Sequence, residues 1–431
     1  PQERLFLQAA WWALEDAGYT REELESKRRG QESKGEGAKV GVFAGATTHS
    51  YHLAAIPGSG PGNLDIPTLT PWTIPNRVSY IFNFQGPSIP VDTACSSSLT
   101  AIHLACESLK KGECEIALAG GINLYLHPSK YYAMCKNGML SPTGRCHTFG
   151  KDADGFVPGE GVGVVVLKPK EQAIGDGDHI YAVIKGSAVN HGGKTGGYTV
   201  PNPNAQAELI ERALEEAKIE PQTITCIEAH GTGTELGDPI EINGLTRAFR
   251  RKTGKKQYCS VGSVKSNIGH LESAAGIAGL LKVVAQMKHK KLVPSLHANE
   301  LNPKIDFASS PFYVQRRVEK WEKPLITENG EEKTCPRRAG VSSFGAGGAN
   351  AHIILEEYEE PGTPHQAAVT GTHLIVLSAQ NRDRLKESAG NMARFLEKEQ
   401  ARGYTINAVA YTLQVGREAM AERMAMEVST I

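Results

Sequence analysis

SIPVDTACSSSLTAIHLACESLKKGECEIALA, residues 88–119, runs from an apolar stretch through small residues around one cysteine into a helical pattern and a second apolar stretch. Residues 88–93 read as a strand, 96–109 as a helix closed by Gly112, and 115–119 as the next strand. Strand, helix and strand in that order predict an α/β fold with buried strands. Within VDTACSSSL, residues 91–99, Cys95 is either an ordinary buried thiol or a nucleophile. A residue in a turn at a helix N-terminus meets unpaired N–H groups and the positive end of the macrodipole. Both favour the thiolate, the reactive form. Ser96, Ser97 and Ser98 are small enough to admit an acyl group and suited to capping the first helical turn. From this stretch alone both readings of Cys95 stand open.

The same alternation extends in both directions. Residues 6–17 have helical apolar spacing ended by Gly18, and KVGVFA (39–44) reads as a buried strand. Later come a strand at 180–185, a helix at 205–217, a strand at 223–228, a helix at 239–249, a strand at 258–264 and a helix at 271–288. The small-residue face of that last helix suits close helix packing. Residues 341–350 read as a glycine-rich bend before a strand at 352–356. Prolines and glycines between 359 and 372 mark a domain boundary, so residues 1–358 are expected to form the main domain. Residues 359–431 are a linker and small flanking subdomain, with a strand at 374–377, a helix at 383–399 and a helical piece at 406–413.

Composition narrows the function. A chain of 431 residues with 40% hydrophobic residues buries a large core. Lys plus Arg and Asp plus Glu balance at 47 each, which points away from nucleic acid and charged membrane surfaces. The 8 cysteines include no CxxC pair, as expected of reduced thiols in a cytoplasmic protein rather than a disulfide framework or zinc site. The aliphatic run 162–167 is far too short to span a bilayer. Because the first residue is Pro1 and no charged leader precedes an apolar stretch, the chain reads as cut from a longer one, without a signal peptide.

Two histidines decide for the nucleophile. EAHGTGTELGDP (228–239) sets His230 just past a strand among glycines, with Thr232 and Thr234 offering hydroxyls; KSNIGHLESAAG (265–276) sets His270 in a loop between strand and helix. Two histidines after two strands and a cysteine after a third are ends that an α/β sheet gathers into one pocket.

VDTACSSSL, EAHGTGT with LGDPIE, and KSNIGHLESAAG closely resemble the three active-site motifs of the β-ketoacyl synthases, in the same order. NRVSYIFNFQGPSIPVDTACSSSL, NHGGKTGGYTVPNPNAQ and SSFGAGGANAH look like ketosynthase domains of modular polyketide synthases, in particular those served by a separate acyltransferase. The resemblance covers essentially the whole chain. It implies a thiolase fold, two similar halves in an α-β-α-β-α sandwich, usually in a homodimer, with a small α/β flanking subdomain whose signature is YTLQVGREAM (411–420). It also implies that Cys95 accepts an acyl chain from the phosphopantetheine arm of an upstream acyl carrier protein. His230 and His270 would stabilise the enolate left when a downstream malonyl thioester decarboxylates. The backbone N–H groups of Cys95 and Ala346 would form the oxyanion hole, Thr232, Thr234 and Phe344 would line the pantetheine and substrate channel, and Lys265 would order the network. No metal and no directly bound cofactor is implied.

Where fatty-acid-type relatives carry a phenylalanine gate this chain has Ala346, which predicts room for a substituted polyketide intermediate. An opening strand with a glycine-rich IGM-type motif, expected before Pro1, and a GHSxG acyltransferase motif are both absent from the sequence. Gly159, Gly161 and Gly163 imitate a dinucleotide loop but precede a strand; Gly193-Lys194-Thr195 lacks the earlier glycine of a phosphate loop, Ala188 standing there. His49 and His52 read as loop histidines rather than a metal pair, and Lys288, His289, Lys290 and Lys291 as a solvated helix end that could greet an acidic carrier protein. The readings in contention are an elongating ketosynthase, a non-elongating domain that only passes the chain on, a cysteine thioesterase or amidase, and a dimer-forming scaffold.

Overall fold

The structure is a computed structural model that describes residues 1–29, 39–47, 50, 51, 53, 70–328, 331–360, 371–399 and 405–429; His49 and His52 lie outside them. The chain divides into one compact unit of Pro1–Ala10 with Lys39–Tyr358 and a second of Trp11–Ala38 with Glu359–Ile431. Residues 11–38 thus go with the tail, not with the rest of 1–358 as the sequence predicts. Two contacts explain the regrouping: the Arg21 backbone N–H donates to the Glu418 carboxylate at 2.6 Å, and the Arg417 guanidinium to the Glu15 carbonyl at 2.7 Å.

In the larger unit, strands β1 (Val40–Gly45), β2 (Ser88–Val91), β3 (Ile116–Asn123) and β4 (Gly161–Leu167) form a sheet of order β2-β1-β3-β4, antiparallel only at β4. A second sheet has the order β5-β10-β9-β6-β7-β8. Its strands are β5 (Ala182–His191), β6 (Cys226–Glu228), β7 (Cys259–Gly262), β8 (Phe312–Val314), β9 (Arg338–Phe344) and β10 (Ala349–Glu357). The expected bend over 341–350 is corrected: β9 continues to Phe344, its small buried serines pairing with β10, and only residues 345–348 turn.

Helices α1 (Ser97–Lys110) and α4 (Ala275–His289) lie between the sheets, α1 against β1, β3, β5 and β10, and α4 against β3, β4, β6 and β9. Outside, Thr73–Phe82 covers β1 and β2, and α2 (Pro203–Ala217) covers β5 and β10 with α3 (Gly237–Arg250) beside it. The layers are therefore α-β-α-β-α, the thiolase arrangement. One apolar cluster runs through the middle, joining Leu99 and Ile102 of α1 to Ile277 and Leu280 of α4 and to Val341 and Ile353 of the second sheet. Each fully buried aliphatic side chain there contributes about 1.5–3 kcal/mol.

Close approach of the middle helices depends on Gly276, where a β-carbon would come within 2.8 Å of the Leu99 side chain. The Gly159, Gly161 and Gly163 series has a packing function of the same kind. β-Carbons at Gly161 and Gly163 would strike Leu271 and Ile277 at 2.6 and 2.9 Å, so this run admits the second half rather than a dinucleotide. In the smaller unit, strands His373–Ala379 and Glu422–Val428 pair antiparallel, and helices Arg382–Glu399 and Ile406–Val415 cover a core of Ile375, Leu377, Val409, Ala410 and Leu413. No described helix is long and apolar enough to cross a membrane.

Candidate active site

The turn between β2 and α1 presents Cys95. Ala94 takes the left-handed conformation, φ 53°, which reverses the chain, and the Asp92 carboxylate holds it by accepting the Ala94 N–H at 3.2 Å. Ser97 Oγ accepts the Thr93 N–H at 2.9 Å, and Ser343 Oγ donates to the Cys95 carbonyl at 2.7 Å, tying the turn to β9. The serines do not cap their own helix as the sequence predicts: Ser96, at the N-cap, makes no side-chain capping bond. Instead Ser96 Oγ lies 2.9 Å from the Ala349 carbonyl, and Ser98 Oγ accepts the Ile277 N–H at 3.0 Å, capping α4 from the other half of the molecule.

His230 follows β6 and His270 follows β7, and both reach the sulfur. Side-chain ligand atoms of Cys95, His230 and His270 all lie within 4.8 Å of one another, and the two imidazole rings meet edge to face at 5.3 Å. A thiol with two imidazoles would by residue type suit a soft divalent ion as well as a thioester. The Glu272 backbone N–H donates to Nδ1 of His270 at 3.1 Å, which makes Nδ1 the acceptor and leaves the proton of the neutral ring on Nε2. Burial, then the Lys265 charge, pushes both histidines well below their ordinary range, so both rings are neutral at pH 7.

The thiol departs from its expectation. Burial, with the Glu272 carboxylate adding to it, pushes Cys95 up to about 11, against Lys265, the Ala346 N–H and Lys130, which pull it down. The resting sulfur is therefore protonated at neutral pH, and the helix N-terminus does not ionise it.

These groups open into a cavity of about 490 Å³ lined by Cys95, His230, His270, Thr232, Thr234, Phe344 and Ala346. The Thr232 and Thr234 hydroxyls are 3.0 Å apart, and the Phe344 ring lies 5.7 Å from His230. Lys265 is not a wall residue. It is buried, and burial lowers its pKa, with Glu228 and then Glu241 opposing. Glu228 is itself paired with Lys282 at 2.6 Å. Glu241 accepts the backbone N–H groups of His230 and Gly231 at 2.7 and 2.8 Å and so fixes the histidine turn.

The sequence reading missed Met139, Phe156, Tyr198 and Asn202, which also line the cavity, and the carboxylates of Glu241 and Glu272. Glu241 and Glu272 stand inside the quoted motifs, and Tyr198 and Asn202 in the stretch NHGGKTGGYTVPNPNAQ. Met139 and Phe156 have no local signal, because only the fold brings them near Cys95. Gly193-Lys194-Thr195 lies on the cavity wall in an irregular loop with no helix N-terminus to bind a phosphate. Lys288 and His289 end α4, Lys290 caps it in the left-handed conformation, and all are exposed together with Lys291.

Comparison with known proteins gives a consistent picture. Residues 1–173 match the β-ketoacyl synthase N-terminal domain, residues 181–299 the C-terminal domain, and residues 376–431 the RhiE-like KS-MAT linker domain. Over 432 residues the chain is 55% identical to polyketide synthase PksL of Bacillus subtilis, covering 100% of this chain and 9% of that protein. For PksM of the same organism the figures are 54% over 433 residues, 100% and 10%. The chain thus spans about a tenth of the length of these relatives. Among solved structures, the oxazolomycin ketosynthase domain OzmH KS7 of Streptomyces albus superposes with a TM-score of 0.90 at 47% identity, over 100% of this chain and 71% of that one. The ketosynthase from module 6 of the bacillaene synthase of Bacillus subtilis gives 0.87 at 43%, over 100% and 69%.

Proposed function

This chain belongs to the β-ketoacyl synthase family, and on that premise we propose that it is an elongating ketosynthase domain of a modular polyketide synthase. The Cys95 sulfur attacks the carbonyl carbon of an acyl thioester on an upstream carrier protein. The new sulfur–carbon bond forms as the bond to the pantetheine sulfur breaks, and the thiol proton leaves with that sulfur. A malonyl thioester on a downstream carrier protein then enters past Thr232 and Thr234. Its bond to the carboxylate breaks, carbon dioxide departs, and the electron pair remains as an enolate whose oxygen accepts imidazole N–H bonds from His230 and His270. The carbanion attacks the acyl-Cys95 carbonyl. Its oxyanion accepts from the N–H groups of Cys95 and Ala346, and collapse expels the Cys95 thiolate, which takes a proton from solvent to restore the resting thiol, and leaves a β-ketoacyl thioester two carbons longer.

One observation carries this reading: a neutral His270, its Nδ1 occupied by a backbone N–H, within 4.8 Å of both the Cys95 sulfur and His230. Such a ring donates a hydrogen bond and cannot take a proton at Nε2, so it suits an enolate. A thioesterase or amidase needs an imidazole with a free acceptor nitrogen oriented by an acid or amide. Presence of His270 also favours elongation over simple transfer.

Partners follow from the chemistry. Substrates arrive on phosphopantetheine arms, and the enzyme needs no bound cofactor or metal of its own. Neighbouring domains of a cytoplasmic multidomain synthase and a separate acyltransferase complete the set. A second copy is supported by β2, an edge strand with Ile89 40% exposed, beside a helix whose Tyr80 is 80% exposed.

Intact-protein mass spectrometry tests the reading. The acyl mass is expected on the wild type and absent from Cys95→Ala, and addition of malonyl carrier protein should give the β-ketoacyl product. His270→Ala should load normally and condense about 100-fold more slowly or worse, the usual cost of losing one such donor. Equal loss of loading and condensation in that variant would overturn the role given to His270.

A further inference from the structure

The structure points to a second tier of control over His270. We propose that Tyr125 and Lys130, from the other half of the molecule, are positioning residues that hold this imidazole through the Glu272 carboxylate; this rests on the condensing role proposed for His270.

Glu272 opens the short turn Glu272–Ala274 that leads into α4. Its φ is +42°, in the left-handed region that a residue with a β-carbon avoids, and it is only 7% exposed. A strained, buried, charged residue persists only where its surroundings hold it, and here they do so at both ends. Its backbone N–H is the donor to Nδ1 of His270 at 3.1 Å. Its carboxylate accepts the Tyr125 hydroxyl at 2.7 Å on one oxygen and pairs with Lys130 at 2.8 Å on the other. Tyr125 is fixed in turn. Its own N–H donates to the Glu160 carboxylate at 2.5 Å, and its ring lies 5.2 Å from that of Tyr131. Burial and the neighbouring carboxylate push the Tyr125 phenol up, so it remains the donor at any working pH.

Tyr125 and Lys130 follow β3, whereas His270 follows β7, so the first half of the molecule reaches across to brace a catalytic group of the second. Releasing either anchor lets Glu272 relax from φ +42°, and its N–H then swings away from Nδ1. The neutral ring is afterwards free to carry its proton on Nδ1 and to present an acceptor where the enolate needs a donor. Apart from Glu272 the polar groups around the ring are Cys95, His230, Lys265 and Lys130, with the Phe156 ring against its edge at 5.0 Å. Among the described residues the hydrogen bond to Nδ1 comes from the Glu272 N–H.

The test follows condensation from enzyme already acylated on Cys95, so that loading does not enter the rate. Tyr125→Phe, Lys130→Met, Glu272→Ala and Glu272→Gly are compared with wild type in the full chain. Tyr125→Phe and Lys130→Met should condense about tenfold more slowly, as expected for loss of one positioning hydrogen bond, while Tyr125→Phe loads at the wild-type rate. Glu272→Gly should condense faster than Glu272→Ala, because glycine keeps φ +42° without strain and so keeps the N–H on Nδ1. Wild-type condensation in Tyr125→Phe and Lys130→Met, parallel loss of loading and condensation in Tyr125→Phe, or Glu272→Ala equal to Glu272→Gly each overturns the proposal. A wild type that loads but never condenses overturns the elongating reading, and with it the positioning role given to Tyr125 and Lys130, whereas a wild type that condenses while these variants behave as wild type overturns the positioning role alone.

Discussion

At Cys95 burial and charge pull in opposite directions. Burial removes water from a thiolate, and the Glu272 carboxylate opposes it further, while Lys265, the Ala346 N–H and Lys130 favour it; the balance settles at about 11. Alkylation of Cys95 by iodoacetamide should therefore climb with pH through 10 rather than level off near 8. Glu272→Gln removes a negative charge and should move the profile down, whereas Lys130→Met removes a positive one and should move it up. A wild-type profile flat above pH 8, or shifts of the same sign in both variants, would contradict this balance. The convergence of Cys95, His230 and His270 is legible from the sequence, since a cysteine before a helix and two histidines in glycine-rich turns stand out by type and spacing. The ionisation of Cys95 is not, because groups that act on it, such as Glu272, Lys265 and Ala346, are far from it in the chain.

The element that carries Ala346 to the cavity wall is the hairpin turn between β9 and β10, residues 345–348. It is held from two sides: the Gly192 N–H donates to the Gly348 carbonyl at 2.8 Å, and Nε2 of His191 lies 2.9 Å from the Gly347 carbonyl. The exposed Ala346 methyl sits on this turn at the cavity wall. A phenylalanine there would narrow the cavity without removing the backbone N–H. Ala346→Phe should thus lower loading of α-branched acyl thioesters about tenfold or more relative to straight-chain ones, the scale of discrimination that a crowded apolar pocket reaches. Loading of both classes by mass spectrometry checks it, and an unchanged ratio would refute a steric gate. At this scale legibility follows apolar continuity. The strands around residues 40, 90, 118 and 227 and the two middle helices are uninterrupted apolar patterns and read directly. Val341-Ser342-Ser343-Phe344 does not, because the buried serines and flanking glycines of β9 look like a loop. The strand Glu422–Val428 is also hidden, its methionines and charges lacking the β-branched signature of a strand.

For the larger unit as a whole, joining two halves around one site leaves several ionisable groups dry, and stability should record their protons. His352, on β10, hydrogen-bonds Ser342 through Nδ1 at 2.9 Å, its Nε2 has no partner among the described residues, and burial pushes it down to about 3. His230 and His270 are lowered in the same sense. Asp238 and Glu241, the carboxylates under the histidine turn, are raised by burial to about 6 and about 7. The signs oppose each other. As pH falls below 6.5 the unfolded chain protonates its histidines and the folded one does not, so the three histidines cost stability. Over the range from 7 to about 4.5 the folded carboxylates bind protons that the unfolded ones do not, so they add stability. The wild-type profile therefore partly cancels, and one variant isolates a single contribution. His352→Asn removes a group that loses about 1.4 kcal/mol per pH unit below 6.5 until about 3. Relative to wild type, this variant should gain about 2 kcal/mol between pH 7 and pH 5, read from urea unfolding at the two values. A gap between the proteins that stays constant over that interval would mean that His352 takes up its proton in the folded chain, and that the second sheet admits water at its centre.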